Sequence, residues 1–227
     1  MSIPLPLQCP CVKEGNTAPC QRTAWYEIAG RYPEPRQCVA AFLTLGTAEV
    51  IAGVKPANLL RISNRAYSCG RNMYKLWQQH GEELLANSSL VAATLLSDTN
   101  GVLLLIYSPA LLQRRLNSRS ARTFLASLDY RDPQHLETTL ADLVSHFVDG
   151  EFPHEIGLFL GYPLKDISAF MGRSQLEVTA QRLWKIYGKT RRSHALADLY
   201  QHQHQRIVSL LNNKRGRSAE LLTAGVL

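Results

Sequence analysis

The sequence lacks the long apolar runs of a membrane protein, and its first residues do not resemble a secretory leader. No apolar stretch approaches the roughly 18–20 residues that cross a bilayer, and the longest, Gly101 to Tyr107, is the length of one strand. The start, MSIPLPLQCPCVKEG, has neither the basic residues nor the apolar core of a secretory signal. We therefore expect a cytoplasmic protein with no membrane partner.

Cysteine is scarce, and its five residues are an odd number. In a chain without a secretory signal this argues against a disulfide framework. Cys9, Cys11 and Cys20 cluster, but structural zinc sites usually combine two C-x2-C pairs, and the sequence has none. The pattern favours incidental thiols, with metal binding by this cluster left open.

The common catalytic motifs are also missing. The sequence has no phosphate-binding glycine loop, dinucleotide fingerprint, nucleophile elbow or paired carboxylates. His154-Glu155 begins like the zinc protease motif H-E-x-x-H, but Leu158 stands where the second histidine would be. These absences count against nucleotide-driven enzymes and common hydrolases, and no cofactor can be assigned.

Positive charge is concentrated near the C-terminal end. The formal net charge is +7, and the stretch from Arg182 to Arg217 contains nine basic residues and one acid. Five of the basic residues could contact nucleic-acid phosphates: Arg191, Arg192, Lys214, Arg215 and Arg217. No helix-turn-helix, zinc finger or base-stacking motif accompanies them, so a solvated tail is favoured and nucleic-acid binding is the alternative.

Composition divides the chain into three parts. Residues 1–36 hold six prolines without a sustained period and predict an arm, residues 37–211 predict a core domain, and residues 212–227 a basic tail. Within the core, helices are predicted from Cys38 to Gly53 and from Tyr67 to Ala86, with a short strand at 57–62 between them.

The clearest local element is a hairpin. Two apolar runs, at 89–97 and 101–107, flank a turn that ends in Asn100-Gly101, a pair suited to the positive φ angles of a tight turn. Both runs are apolar on both faces, so helices should cover the hairpin. From Pro109 onward the periodicity is helical. We predict a single α+β domain: a small sheet with an antiparallel hairpin covered by helices, and a helical C-terminal half.

Three segments resemble an uncharacterised bacterial family known only as a domain of unknown function. They are GVKPANLL, EFPHEIGLFLGYPLKDISAFM and LWKIYG, and the resemblance extends over about Cys38 to Leu211. It implies a shared fold and a cytoplasmic bacterial setting, often in anaerobic or facultative organisms, with no established activity. The resemblance also implies a His-Cys pair where this chain has Gly46-Thr47.

The segment FPHEIGLFLGYP is the first candidate site. It predicts a two-turn helix over 153–161 that places His154, Gly157 and Gly161 along one stripe, with Glu155 in the first turn and Tyr162 just beyond. The favoured interpretation is that the glycines allow close packing. The alternative is that the bare stripe accepts a flat ligand or cofactor, with His154 as ligand, acid or base.

Lys55 and Asn58 flank Pro56 at the entry to a strand and could lie on the far wall of such a site. The leading functional hypothesis is an accessory protein that binds or handles a small ligand, cofactor or metal. Iron or redox metabolism is suggested only by the setting of the family. The alternatives are nucleic-acid binding through the basic C-terminal segment and an enzyme with His154 and Glu155 as an acid–base pair, assisted by Lys55.

Overall fold

A computed structural model of the chain describes residues 25–67, 69–147, 152–213 and 218–224. The first half contains α1 (Trp25–Ile28), a 3-10 turn (Ala29–Arg31), α2 (Pro35–Gly46), α3 (Ala48–Ile51), β1 (Ala57–Ser63), α4 (Met73–Ala86), β2 (Val91–Asp98) and β3 (Gly101–Tyr107). The second half contains α5 (Pro109–Leu116), α6 (Arg119–Ala126), α7 (Leu136–Ser145), α8 (Ile156–Phe159), α9 (Leu164–Phe170), β4 (Val178–Gln181), β5 (Lys185–Tyr187), α10 (Arg191–Asn213) and α11 (Ser218–Ala224).

The central sheet has three antiparallel strands in the order β1-β3-β2. The predicted hairpin is its β2–β3 pair. At the turn, the Asp98 carboxylate accepts a hydrogen bond from the Asn100 amide at 2.8 Å. Gly101 has φ +136°, and a Cβ there would lie 2.1 Å from the Ile62 carbonyl oxygen, so only glycine fits. The α+β prediction is confirmed.

Helices cover both faces of this sheet. Alternate side chains of the fully buried strand β3 point to opposite faces. Leu104 and Ile106 pack in the apolar cluster with α2, α4, α10 and α11. Leu103 and Leu105 pack in a second cluster with α5 to α8. Two-sided burial explains why this run is apolar at every position.

The predicted helical C-terminal half is confirmed, and it also contains one short pair of strands. β4 and β5 form this antiparallel pair between α9 and α10. The strand conformation is held from outside the segment. The Asp166 carboxylate of α9 accepts hydrogen bonds from the Tyr187 backbone amide and the Trp184 indole, each at 2.9 Å. The strand propensity of residues 178–187 carries no information about contacts with a distant residue such as Asp166.

Several helix bounds also differ from expectation. The first predicted helix is two helices, α2 and α3, that meet at Thr47, and α4 begins only at Met73, where Asn72 caps it. The helix predicted over 153–161 is the single turn α8. Its predicted stop is confirmed: Gly161 has φ +80°, and the Tyr162 amide donates back to the Gly157 carbonyl at 2.9 Å.

The chain segments on either side of the predicted core also contact the apolar cores. Ile28 and Tyr32 are buried with α2, and the Tyr32 hydroxyl donates to the Leu211 carbonyl at 2.7 Å. Leu221 and Leu222 of α11 join the same cluster. The boundaries at residues 36 and 211 remain predictions. No helix in the described ranges is long and apolar enough to cross a membrane.

Candidate functional site

A cavity of about 270 Å³ opens where three turns meet. It is lined by residues 53–56 after α3, by Leu111, Arg114, Arg115 and Ser118 of α5 and the turn after it, and by Gly161 and Tyr200. Three of these residues are cationic: Lys55, Arg114 and Arg115. The described residues that line the cavity include no carboxylate. The cavity is therefore positively charged.

Lys55, one of the lining residues, belongs to a buried polar network. It is only 4% exposed, and its ammonium donates to the Asn58 amide oxygen. The Asn58 amide nitrogen in turn donates to the Glu49 carboxylate at 2.7 Å and to the Gly46 carbonyl at 3.0 Å. Asn58 therefore bridges a buried cation and a buried anion. Such pairing is what makes burial of the two charges tolerable.

The end of α3 sets the position of Lys55. The backbone amides of Val54 and Lys55 both donate to the Glu49 carbonyl at 3.1 Å, which closes the turn after the helix. Gly53 adopts φ +71° within this turn. Strand β1 then begins at Ala57, so Asn58 is held in the sheet opposite Ile106. A short helix, a closed turn and a strand thus bring Glu49, Lys55 and Asn58 together.

Two tyrosine rings lie next to the Lys55 ammonium group. Lys55 Nζ lies 5.4 Å from the ring centroid of Tyr162 and 5.5 Å from that of Tyr200, which are cation–π distances. Tyr162 stacks on Trp184 at 4.6 Å between centroids. Burial, and then the neighbouring Tyr162, raise the pKa of the Tyr200 hydroxyl, so Tyr200 stays a neutral donor.

The two arginines differ in their contacts. Arg115 is partly buried, and its guanidinium donates to the carbonyls of Tyr162 at 2.5 Å and Leu158 at 3.5 Å. Burial lowers the pKa of Arg115, which signals the loss of hydration around this cation. Arg114 is exposed, and no carboxylate in the described ranges pairs with it. Arg114 is the cation most available to an entering ligand.

The structure brings four of the seven predicted site residues to this cavity. Lys55 and Gly161 line it, while Asn58 and Tyr162 contact Lys55. Gly161 also packs closely: a Cβ there would lie 2.7 Å from both Pro56 Cδ and the Tyr200 hydroxyl.

The other three lie elsewhere. His154 is exposed and meets the Phe170 ring edge-on at 4.9 Å. Gly157 faces side chains, because an added Cβ would lie 3.1 Å from Ile167 and 3.3 Å from Tyr162. This contact matches the close-packing interpretation of Gly157.

Glu155 belongs to a separate polar cluster. It is buried, and its carboxylate contacts His146 Nδ1 at 2.7 Å and accepts a hydrogen bond from the Tyr130 hydroxyl at 3.3 Å. Burial, followed by the Glu155 charge, raises the pKa of Tyr130. The histidine paired with Glu155 is thus His146 and not the adjacent His154.

Sequence reasoning missed Glu49, Arg114, Arg115 and Tyr200 as members of the site. Glu49 could have been noticed because it is a lone acid within the apolar run of α2 and α3. An acid buried at such a position almost always has a partner. The arginines gave none, because α5 reaches the cavity only through tertiary packing.

The basic segment is described only in part. Arg191 and Arg192 are exposed in the first turn of α10. Lys214, Arg215 and Arg217 lie outside the described residues, as do Cys9, Cys11 and Cys20. Within the described ranges, no group of three or more histidine, cysteine, aspartate or glutamate residues could hold a metal ion.

Comparison with protein-family models gives a match over most of the chain. The model of a family described as "Protein of unknown function (DUF3793)" matches residues 43–222. Neither the curated proteins nor the solved structures compared with the chain gave a match.

Proposed function

The chain belongs to the DUF3793 family of unknown function, and from the cavity at Lys55 we propose that it binds a small anionic ligand. The observation that carries this proposal is the lining of the cavity, which has three cationic side chains and, among its described residues, no carboxylate. An anion that entered the cavity would supply a negative charge beside Arg114 and Arg115.

The charge balance of the surroundings supports an anion over a cation. Glu49 and Lys55 are both bound to Asn58, so their charges offset each other within the protein. Arg115 donates to two backbone carbonyls, which carry only partial charge. Together with Arg114, this leaves an excess of positive charge at the cavity. Arginine matches the planar oxygen pairs of carboxylates and phosphates, which suits ligands that carry either group.

The size of the cavity favours a small ligand. Typical small-molecule pockets measure roughly 300–1,000 Å³. At about 270 Å³ this cavity is just below that range, so the anionic group and a few attached atoms would fill it. The Tyr200 hydroxyl and the exposed Ser118 add neutral hydrogen-bonding groups to the wall. The aliphatic wall residues Val54, Pro56 and Leu111 suit a short carbon skeleton.

Other expectations from the sequence remain predictions. The bacterial and cytoplasmic setting, and a role in iron or redox metabolism, rest on the resemblance alone. Nucleic-acid binding stays an alternative that depends mainly on residues outside the described ranges. Acid–base catalysis by His154 and Glu155 stays a prediction as well, although Glu155 contacts His146.

The proposal is tested by thermal unfolding in the presence of sulfate, phosphate and malonate. A bound ligand stabilises the native state, and each kcal/mol of binding should raise the Tm by about 2–4 °C in a chain of this size. Because sulfate and phosphate also stabilise proteins without binding to a site, the wild type is compared with Arg114→Ala. The variant should bind the anion about tenfold more weakly or worse, the usual cost of one lost charged hydrogen bond.

The matched control is Arg65→Ala. Arg65 is also exposed, but it lies beyond the opposite end of β1, roughly 20 Å or more from Lys55 by strand geometry. It should keep the full response to the anion. Identical responses from wild type, Arg114→Ala and Arg65→Ala would refute an anion site at this cavity.

A further inference from the structure

A buried histidine, His204, lies one helical turn from Tyr200 at the cavity. His204 is 3% exposed, and among the described residues neither of its ring nitrogens has a hydrogen-bond partner. The nearest charged group is Glu49, whose Oε1 lies 3.6 Å from His204 Nδ1. Buried polar atoms in native proteins are nearly always paired, so an imidazole left in this state calls for an explanation.

His204 is linked to the cavity by two short paths. Along α10, Tyr200 precedes His204 by four residues and so lies on the same helix face. Through side chains, Glu49 accepts from Asn58, and Asn58 accepts from Lys55 at the cavity wall. Tyr200 at the cavity and His204 are thus about one helical turn apart, roughly 5–6 Å along α10.

The charged group nearest to His204 is a carboxylate, so its surroundings can stabilise a positive charge on the imidazole. Helix α10 packs against α2 and α3. On α3 the titratable group that faces His204 is Glu49, and Lys55 follows in the turn after it. On α2 the charged residue Arg36 is on the surface and pairs with Glu83 of α4 at 2.8 Å. On α10 itself, one turn away, Tyr200 is neutral, since its pKa is raised by burial.

We propose that His204 takes up a proton when an anion enters the cavity, so that ligand binding and protonation are coupled. This inference rests on the proposed anion site. A negative charge in the cavity favours the protonated imidazole, because an opposite charge stabilises the charged form of a neighbouring group. The proton binds a ring nitrogen and makes both nitrogens donors, and Nδ1 then donates to Glu49. Nδ1 thereby gains a partner, and the added negative charge is offset inside the protein.

Coupling of this kind is reciprocal. If the anion raises the proton affinity of His204, protonation must raise the affinity for the anion by the same factor. Histidine changes charge more readily near neutral pH than any other side chain. The ligand should therefore bind more tightly under mildly acidic conditions and be released as the pH rises.

The test is isothermal titration calorimetry with sulfate or malonate at about pH 7.5, where an ordinary histidine is mostly neutral. Both anions are fully ionised there, so protons that are taken up go to the protein. Titrations in two buffers of different ionisation enthalpy give the number of protons. We expect uptake of a measurable fraction of one proton, and a sulfate affinity that falls about fivefold or more between about pH 6 and pH 8.

His204→Gln should still bind the anion but without proton uptake and with a flatter pH profile. The matched control is His202→Gln, because His202 is exposed on the same helix and should behave like wild type. If His204→Gln does not fold, the smaller His204→Asn takes its place. Anion binding without proton uptake in the wild type overturns this inference while leaving the anion site intact. Absence of binding by both anions overturns both.

Discussion

Tyr200 donates its hydroxyl hydrogen bond to the Gly161 carbonyl at 3.3 Å. The contact joins α10, the longest helix described, to the turn that ends α8. The same hydroxyl would lie 2.7 Å from a Cβ on Gly161, so the two segments approach as closely as a glycine allows. The wall of the cavity is therefore built from a backbone turn and a tyrosine that fix each other in place.

Gly161→Ala should destabilise the fold more than an ordinary glycine substitution. The alanine must adopt φ +80°, which costs roughly 1–2 kcal/mol, and its methyl group must displace Pro56 or the Tyr200 hydroxyl, for roughly 1–3 kcal/mol more. Gly172→Ala is the control, since Gly172 has φ +71° but nothing within 4 Å of an added Cβ. Urea denaturation gives both free energies of unfolding. Equal losses would mean that the close contact at Gly161 contributes nothing.

Asp166 should make stability depend on pH in the acid range. Burial by itself would raise the pKa of this carboxyl, but hydrogen bonds from Lys165, Ser193, the Tyr187 amide and Trp184 outweigh burial and hold the pKa below its usual value. The unfolded chain therefore binds this proton at a higher pH than the native protein does. The stability that Asp166 contributes is present above about pH 4 and is lost as the pH falls toward the lower native pKa.

Asp166→Asn removes this dependence. We expect the variant to be less stable than wild type at neutral pH and the difference to shrink below about pH 4. Asp198→Asn is the control, because Asp198 is 61% exposed in its side chain and forms only a surface ion pair with Arg182, which contributes little. Urea denaturation across the pH range measures both. A loss in Asp166→Asn that does not change with pH would contradict the prediction.

The parts of the fold that the sequence predicts are those decided locally. The Asn100-Gly101 turn requires a backbone conformation that few other pairs adopt, and the apolar run of β3 indicates that this strand is covered on both faces. The end of α8 at Gly161 is decided in the same way. The β4–β5 pair is not, because Trp184 and Tyr187 owe their positions to Asp166, which is 18 and 21 residues away.

The same distinction applies to the site. Lys55 and Asn58 stand out in the sequence because a proline separates them at the start of a strand. Arg115 shows no such signal, since its contacts are with Leu158 and Tyr162, 43 and 47 residues later in the chain. Proximity in the sequence suggests His154 as the partner of Glu155, but two neighbours in a turn point apart, and the side chain that reaches Glu155 is His146.

The two described cysteines should react at different rates with iodoacetamide. Cys38 is fully buried, and burial, reinforced by the adjacent Cys69, raises the pKa of its thiol to about 11 despite the nearby Arg71. Thiolate is the nucleophilic form, so Cys38 has almost none at neutral pH, and no reagent can reach it. Cys69 is partly exposed. In the folded protein, mass spectrometry of peptides should therefore find Cys69 alkylated while Cys38 stays unmodified. In urea, both should react at similar rates, because the difference comes from the fold. Equal labelling of the two thiols without denaturant would show that α2 opens at Cys38 much faster than its complete burial suggests.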